Sequence, residues 1–187
     1  MTGPAVPLAR VAMGANSGRS YPQMDAGSVA NLYYTAVGGA DTAHPFATTP
    51  AAETAPRPSP DGTLLAYLSD ETGIDELYVQ RFPLGGERLA VSKTGASPAR
   101  WSHDGRSLFY FDGRGTLMAA SITSRPTLAI GRAREIPTDV SPGGLGPGRS
   151  NYMFDVAADG RIILAEDVPG AFDLVLVRNG LATEERR

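Results

Sequence analysis

The chain has no cysteine, one tryptophan (Trp101), one lysine (Lys93) and two histidines (His44 and His103) in 187 residues. Lack of cysteine excludes a disulfide framework and thiolate chemistry. Two histidines leave any zinc site to be completed by carboxylates, and no spacing of Asp or Glu suggests one. Long apolar runs are missing too, so no segment approaches the ~20 residues of a membrane helix. The apolar stretch from Ala5 to Met13 is broken by Arg10 and does not form a signal-peptide core. The expectation is a cytoplasmic protein, or a periplasmic one if residues precede Met1. A net charge of −3 removes general attraction to nucleic acid or to an anionic membrane.

Catalytic patterns are equally scarce. There is no glycine-rich nucleotide loop, no strand lysine in context and no catalytic-loop or magnesium-binding motif of a protein kinase. Phe111-Asp112-Gly113 reads as a hairpin turn. No Gly-x-Ser-x-Gly elbow occurs, and Ser102-His103-Asp104 are sequence neighbours, whereas triad members converge from separate segments. The glycines between Gly143 and Gly148 fit no phosphate-loop spacing and read as a surface loop. The expectation is a protein without catalytic residues, cofactor or metal.

What the chain does have is turns and repetition. Its 22 glycines and 15 prolines, beside 42% apolar residues, favour many short strands around a real core. Pro58-Ser59-Pro60-Asp61-Gly62-Thr63-Leu64-Leu65-Ala66-Tyr67 aligns with Trp101-Ser102-His103-Asp104-Gly105-Arg106-Ser107-Leu108-Phe109-Tyr110, the two glycines 43 residues apart. A third copy runs from Phe154 through Asp159-Gly160 to Leu164, with Leu174 to Val177 as its next strand. A fourth, worn copy precedes these, with Ser17 to Ser20 in the turn position and Asn31 to Tyr34 aligned with Asp75 to Tyr78. Its opening segment, Leu8 to Met13, is poor as a strand.

Asp-Gly suits tight turns because both residues tolerate positive φ. The β-favouring pieces between turns are ~4–7 residues long, and no segment keeps a 3.6-residue apolar period. Leu64 to Leu68 is apolar on both faces, as expected of strands covered on both sides. Thr49 to Pro60 is proline-rich, and the repeat assigns it to a strand at a sheet edge, where missing amide donors do less harm.

A period near ~40–45 residues with four strands per unit indicates a β-propeller. The fold expected is all-β, about four blades of four antiparallel strands. Residues 25–180 form the blades, 1–24 a worn repeat or loosely ordered segment, and 181–187 a polar tail. Strands Leu64–Leu68 with Leu77–Phe82, and Leu108–Phe111 with Leu117–Ser121, are expected to pair. Trp101 is expected to be largely buried between blades.

Ser59-Pro60-Asp61-Gly62, followed by Leu65-Ala66-Tyr67 and Ser69-Asp70-Glu71, resembles the TolB-like β-propeller repeat. Ser102-His103-Asp104-Gly105 and Ala157-Ala158-Asp159-Gly160 fit the same pattern. Tyr78-Val79-Gln80-Arg81-Phe82-Pro83 leading to an Arg-Trp-Ser-x-Asp-Gly turn narrows the resemblance to the propeller region that follows some bacterial serine/threonine kinase domains. The resemblance implies a six-bladed ring, of which this chain would be an incomplete part. It implies a non-catalytic module that binds a protein or peptide. The alternative is an accessory propeller of a truncated or split enzyme, a kinase or a prolyl-oligopeptidase-like peptidase. A third reading, a secreted lyase or sugar binder, calls for a signal peptide and an aromatic-rich channel. Further blades in cis, a partner's blades or self-association would then cover the exposed sheets.

Arg57, Arg100 and Asp155 each stand four residues before a turn aspartate, on the first strand of their repeat. First strands border a propeller's central channel. Two arginines at equivalent places could offer a fork to a carboxylate or phosphate, or could pair with neighbouring carboxylates and stitch blades together. Asp61, Asp104 and Asp159 could hold calcium in principle, but turn stabilisation accounts for them.

Overall fold

The structure is a computed structural model that describes residues 9–14, 29–36, 43–138, 154–168 and 171–177. The expected turn at Ser17 to Ser20, the loop at 143–148 and the tail at 181–187 lie outside them. Every element among the described residues is a strand, and all pairing is antiparallel.

The second blade shows the plan most fully. Strands β4 (Glu53–Pro58), β5 (Leu64–Ser69), β6 (Glu76–Arg81) and β7 (Gly85–Ala90) pair in sequence order. The third blade repeats it with β8 (Arg100–Trp101), β9 (Ser107–Phe111) and β10 (Leu117–Thr123). Its outer strand comes in two pieces, β11 (Ala129–Ile130) and β12 (Arg134–Glu135), both paired with β10. The stretch from Thr123 to Arg132 thus supplies part of a broken edge strand.

The first blade contributes β1 (Ala9–Gly14), β2 (Asn31–Ala36) and β3 (His44–Ala47), and the fourth β13 (Phe154–Val156), β14 (Ile162–Val168) and β15 (Ala171–Val177). Ala9–Gly14 is therefore a strand despite its weak propensity. Six consecutive pairs with β2 supply what the residues themselves do not.

Successive blades are joined the same way. Glu53 N donates to Ala30 O at 2.7 Å, and Ala96 N, 43 residues on, donates to Asp75 O at 2.8 Å. Each bond ties the start of one blade to the residue just before β2 or β6 of the preceding blade. This equivalence aligns β2 with β6, as the Asn31 to Tyr34 register predicts.

The core lies between blades and follows from strand alternation. Leu65 and Tyr67 point toward the first blade, where they meet Leu32 and Ala47, with Phe82 of their own blade in the same cluster. Leu64, Ala66 and Leu68 point the other way, to Leu108, Tyr110 and Ile122. Phe109 and Phe111 then face Phe154, Ile162 and Leu164 of the fourth blade. All six residues of β5 are buried. Each fully buried Leu or Phe contributes roughly 1.5–3 kcal/mol relative to exposure, and both faces of each middle strand contribute.

Candidate functional site

The Asp-Gly turns position everything that follows. Asp61 accepts from Ser59 Oγ at 2.6 Å and from Thr63 N at 3.0 Å through Oδ1, and from Thr63 Oγ1 at 2.8 Å through Oδ2. Asp104 repeats this with Ser102 Oγ at 2.6 Å and Arg106 N at 3.0 Å. Ser59 Oγ and Ser102 Oγ also accept from Leu64 N at 3.0 Å and Ser107 N at 2.9 Å. Gly62, Gly105 and Gly160 take φ of 69°, 69° and 82°. That left-handed backbone is why glycine follows each aspartate.

These bonds hold the carboxylates ionised. Burial works against the charge of Asp61, but the Ser59 hydroxyl, the Thr63 N–H and the Thr63 hydroxyl outweigh it and lower the pKa. The Ser102 hydroxyl, then the Arg106 N–H, lowers that of Asp104. In the third turn Ala157 stands where the serines stand, and the Arg161 N–H is the largest influence lowering Asp159. That turn also closes one residue sooner, Ala157 N reaching Arg161 O at 2.8 Å.

With the turns set, the first strands β4, β8 and β13 stand side by side, and the three predicted site residues come together. Arg100 Nε lies 3.9 Å from Asp155 Oδ1 across the third and fourth blades. The Arg100 side chain is 26% exposed and that of Asp155 76%. The Arg100 guanidinium also sits 5.5 Å from the Phe154 ring centroid, within cation–π range.

Arg57 is half-buried beside them. Burial first, and then the charge of Arg100, pull its pKa down, while Asp155 acts in the opposite direction. Each arginine folds back in the same way. Arg57 NH1 donates to Pro56 O at 3.0 Å and Arg100 NH1 to Ala99 O at 3.0 Å. The stitching of blades foreseen for these arginines is present at Arg100. No ion pair is made by Arg57 among the described residues.

Two features here escaped the sequence. Trp101 is half-buried rather than largely buried, because its indole spans between two first strands. Its Nε1 donates to Arg57 O at 2.9 Å, clamping β8 to β4. The equivalence of Pro58 and Trp101 in the repeat marked the location but not the bond. The other feature is Ala55, whose φ of 49° is left-handed, at a bulge where the β4–β5 register shifts between Thr54 and Arg57. Bulges re-aim the side chains that follow them, and Arg57 follows this one. No glycine advertised the bend.

A recess of about 450 Å³ lies between the second and third blades on the turn side, lined among others by Asp61, Asp104, Arg106 and Arg125. Both aspartates are already committed to their turns. Among the described residues no three His, Asp or Glu side chains group as metal ligands would.

No family model and no curated protein matches the chain. Solved structures do. A protein assigned as TolB, from Agrobacterium tumefaciens, superposes with a TM-score of 0.59 at 22% identity, over 81% of this chain and 53% of its own. TolB from Acinetobacter baumannii gives a TM-score of 0.40 at 15% identity, over 79% and 46%. The β-propeller domain of the Trilobed protease from Pyrococcus furiosus gives 0.39 at 12% identity, over 91% and 78%. The chain spans about half the length of the Agrobacterium protein. Together with the four repeated antiparallel sheets, that superposition identifies the fold: successive blades of a β-propeller of the kind found in TolB.

Proposed function

We propose that this chain is a non-catalytic interaction module of the TolB-like propeller family, which takes a protein or peptide segment on the side where its first strands meet. The observation that carries the reading is Arg57. A half-buried guanidinium with no ion-pair partner among the described residues, held beside a second arginine, keeps a desolvated charge that an incoming group can satisfy. The fold by itself does not carry this reading, because propellers host many unrelated functions.

The test uses an array of immobilised random-sequence peptides probed with the full chain and with an Arg57→Gln, Arg100→Gln double variant. A set of peptides bound by the parent should lose at least about tenfold in affinity with the variant, whose fold is checked by circular dichroism. Absence of any bound peptide, or binding that ignores both substitutions, would overturn the reading.

The proposal extends to further blades, in cis or from another chain, that complete the ring with this one. Light scattering on the chain should then show association. A cooperative monomer at high concentration would instead support a closed four-bladed ring.

A further inference from the structure

We infer that Arg57, Arg100 and Asp155 together form a receptor for a single carboxylate group, with Asp155 discriminating against phosphate. This rests on the interaction-module reading above and names the chemistry of its ligand.

The argument begins with unused donors. A guanidinium carries five N–H donors. Among the described residues, the acceptors of Arg57 and Arg100 are one backbone carbonyl each, Pro56 O and Ala99 O. The Arg100–Asp155 approach of 3.9 Å is a charge contact, beyond hydrogen-bond range. Asp155 Oδ1 is meanwhile accepting from Val156 N at 2.9 Å. Both arginines therefore have donors to spare in a place where water is partly excluded.

Their posture is also fixed beforehand. Arg57 follows the Ala55 bulge, and its own carbonyl is held by the Trp101 indole. Arg100 lies over Phe154 and takes the same fold-back posture as Arg57. Side chains already held in place lose less entropy when they bind, which favours a specific ligand over a diffuse counter-ion.

The charge count then selects the ligand. Two guanidinium groups and one carboxylate leave a single positive charge. One carboxylate neutralises it and can use the arginine donors in forked geometry. A phosphate dianion would leave the site negative and would face the exposed Asp155 carboxylate at close range. Asp155 is thus a specificity-determining residue, and an acidic side chain or a peptide C-terminus is the group that fits.

The experiment follows the arginine Nε–Hε signals of the full chain by NMR, assigned with Arg57→Gln and Arg100→Gln. Sodium acetate, sodium phosphate at pH 7.5 and sodium chloride are titrated at matched ionic strength. Acetate should shift both signals with saturation, and phosphate should bind more weakly by about fivefold or more. Asp155→Asn should narrow that gap or reverse it, tightening phosphate by about tenfold and acetate by only about threefold.

N-acetyl-Gly-Ala-Gly with a free C-terminus and N-acetyl-Gly-Glu-Gly-amide then separate a terminal from a side-chain carboxylate. Equal responses to all three salts, or a phosphate preference in the parent chain, would overturn the inference. Should the salts fail while the array still depends on Arg57 and Arg100, the carboxylate chemistry falls and the interaction module stands. Failure of both removes the module reading as well.

Discussion

Strands β4 and β8 hold the same place in successive blades, and they differ where it matters. Glu53 opens β4 with a fully buried carboxylate that accepts from Thr49 Oγ1. The equivalent Ala96 has no charge to satisfy. Two residues on, β4 bends at Ala55, while the approach to β8 has Pro98 in that place and no left-handed residue. Among the described residues Arg57 emerges without an ion-pair partner, and Arg100 emerges beside Asp155. Backbone hydrogen bonds from Glu53 N and Ala96 N to the preceding blade are nevertheless nearly identical, at 2.7 and 2.8 Å. Repetition is enforced by the backbone ladder, which nearly every residue type can satisfy, and divergence is left to the side chains.

The largest effect should come from breaking the layer between blades. Phe109 is 0% exposed, and Phe109→Ala should cost about 3–5 kcal/mol by urea denaturation. The equivalent position in the second blade is Ala66, where the layer is already built around a small side chain. A loss under about 1 kcal/mol at Phe109 would mean that the two layers are equally tolerant.

Next comes the clamp between β8 and β4. Trp101→Phe keeps most of the packing but leaves Arg57 O without its indole donor. The expected cost is about 1–2 kcal/mol. The substitution should also raise hydrogen exchange around Arg57 more than around Asp155. Equal exchange at both places would show that the indole does not fix Arg57.

A smaller effect distinguishes the turns. Ser102→Ala removes the hydroxyl that Asp104 accepts from and should raise the Asp104 pKa. The rise should be toward the ordinary aspartate value near ~3.9, read by NMR titration of the carboxyl carbon, with a stability cost of about 1 kcal/mol. Ala157→Ser should lower Asp159 further by supplying the hydroxyl donor that the first two turns have. The sign follows from linkage. A carboxylate whose folded pKa lies below its unfolded value stabilises the protein above the unfolded pKa, and that stability fades as pH falls through the folded one. Stability should therefore decline below about pH 4, and the serine-to-alanine variant should show a shallower decline. Unchanged titration of Asp104 would remove the serine from the account.

The smallest effect tests the bulge. Ala55→Gly relieves a left-handed residue worth roughly 1–2 kcal/mol but frees the unfolded chain by about 0.5–1, for a net gain near ~0.5 kcal/mol. Pro98→Gly, with no such strain to relieve, should destabilise. Destabilisation by both would place the cause elsewhere.

Much of the fold was legible in the 43-residue spacing between Gly62 and Gly105, because an Asp-Gly turn has a local backbone requirement that residue type alone can meet. The pairings of β5 with β6 and β9 with β10 follow from the apolar runs themselves and from the turns that join them, at Asp70 to Gly73 and Asp112 to Gly115. The equivalence of Arg57, Arg100 and Asp155 was legible for the same reason. Their company was not. Whether two residues 43 positions apart repel, pair or share a ligand depends on how adjacent blades rotate past each other. That rotation is set by whole layers such as Leu64, Ala66, Leu108 and Ile122.

The strand at Ala9–Gly14, the Trp101 bond to Arg57 O and the bend at Ala55 share this dependence. Each is a local arrangement of poor intrinsic preference that neighbouring strands make favourable. Turn chemistry and period thus came from the sequence by itself, since both act within a few residues. The charge constellation and its strained approach were decided by tertiary structure, since burial and opposing charges arise only once blades are packed together.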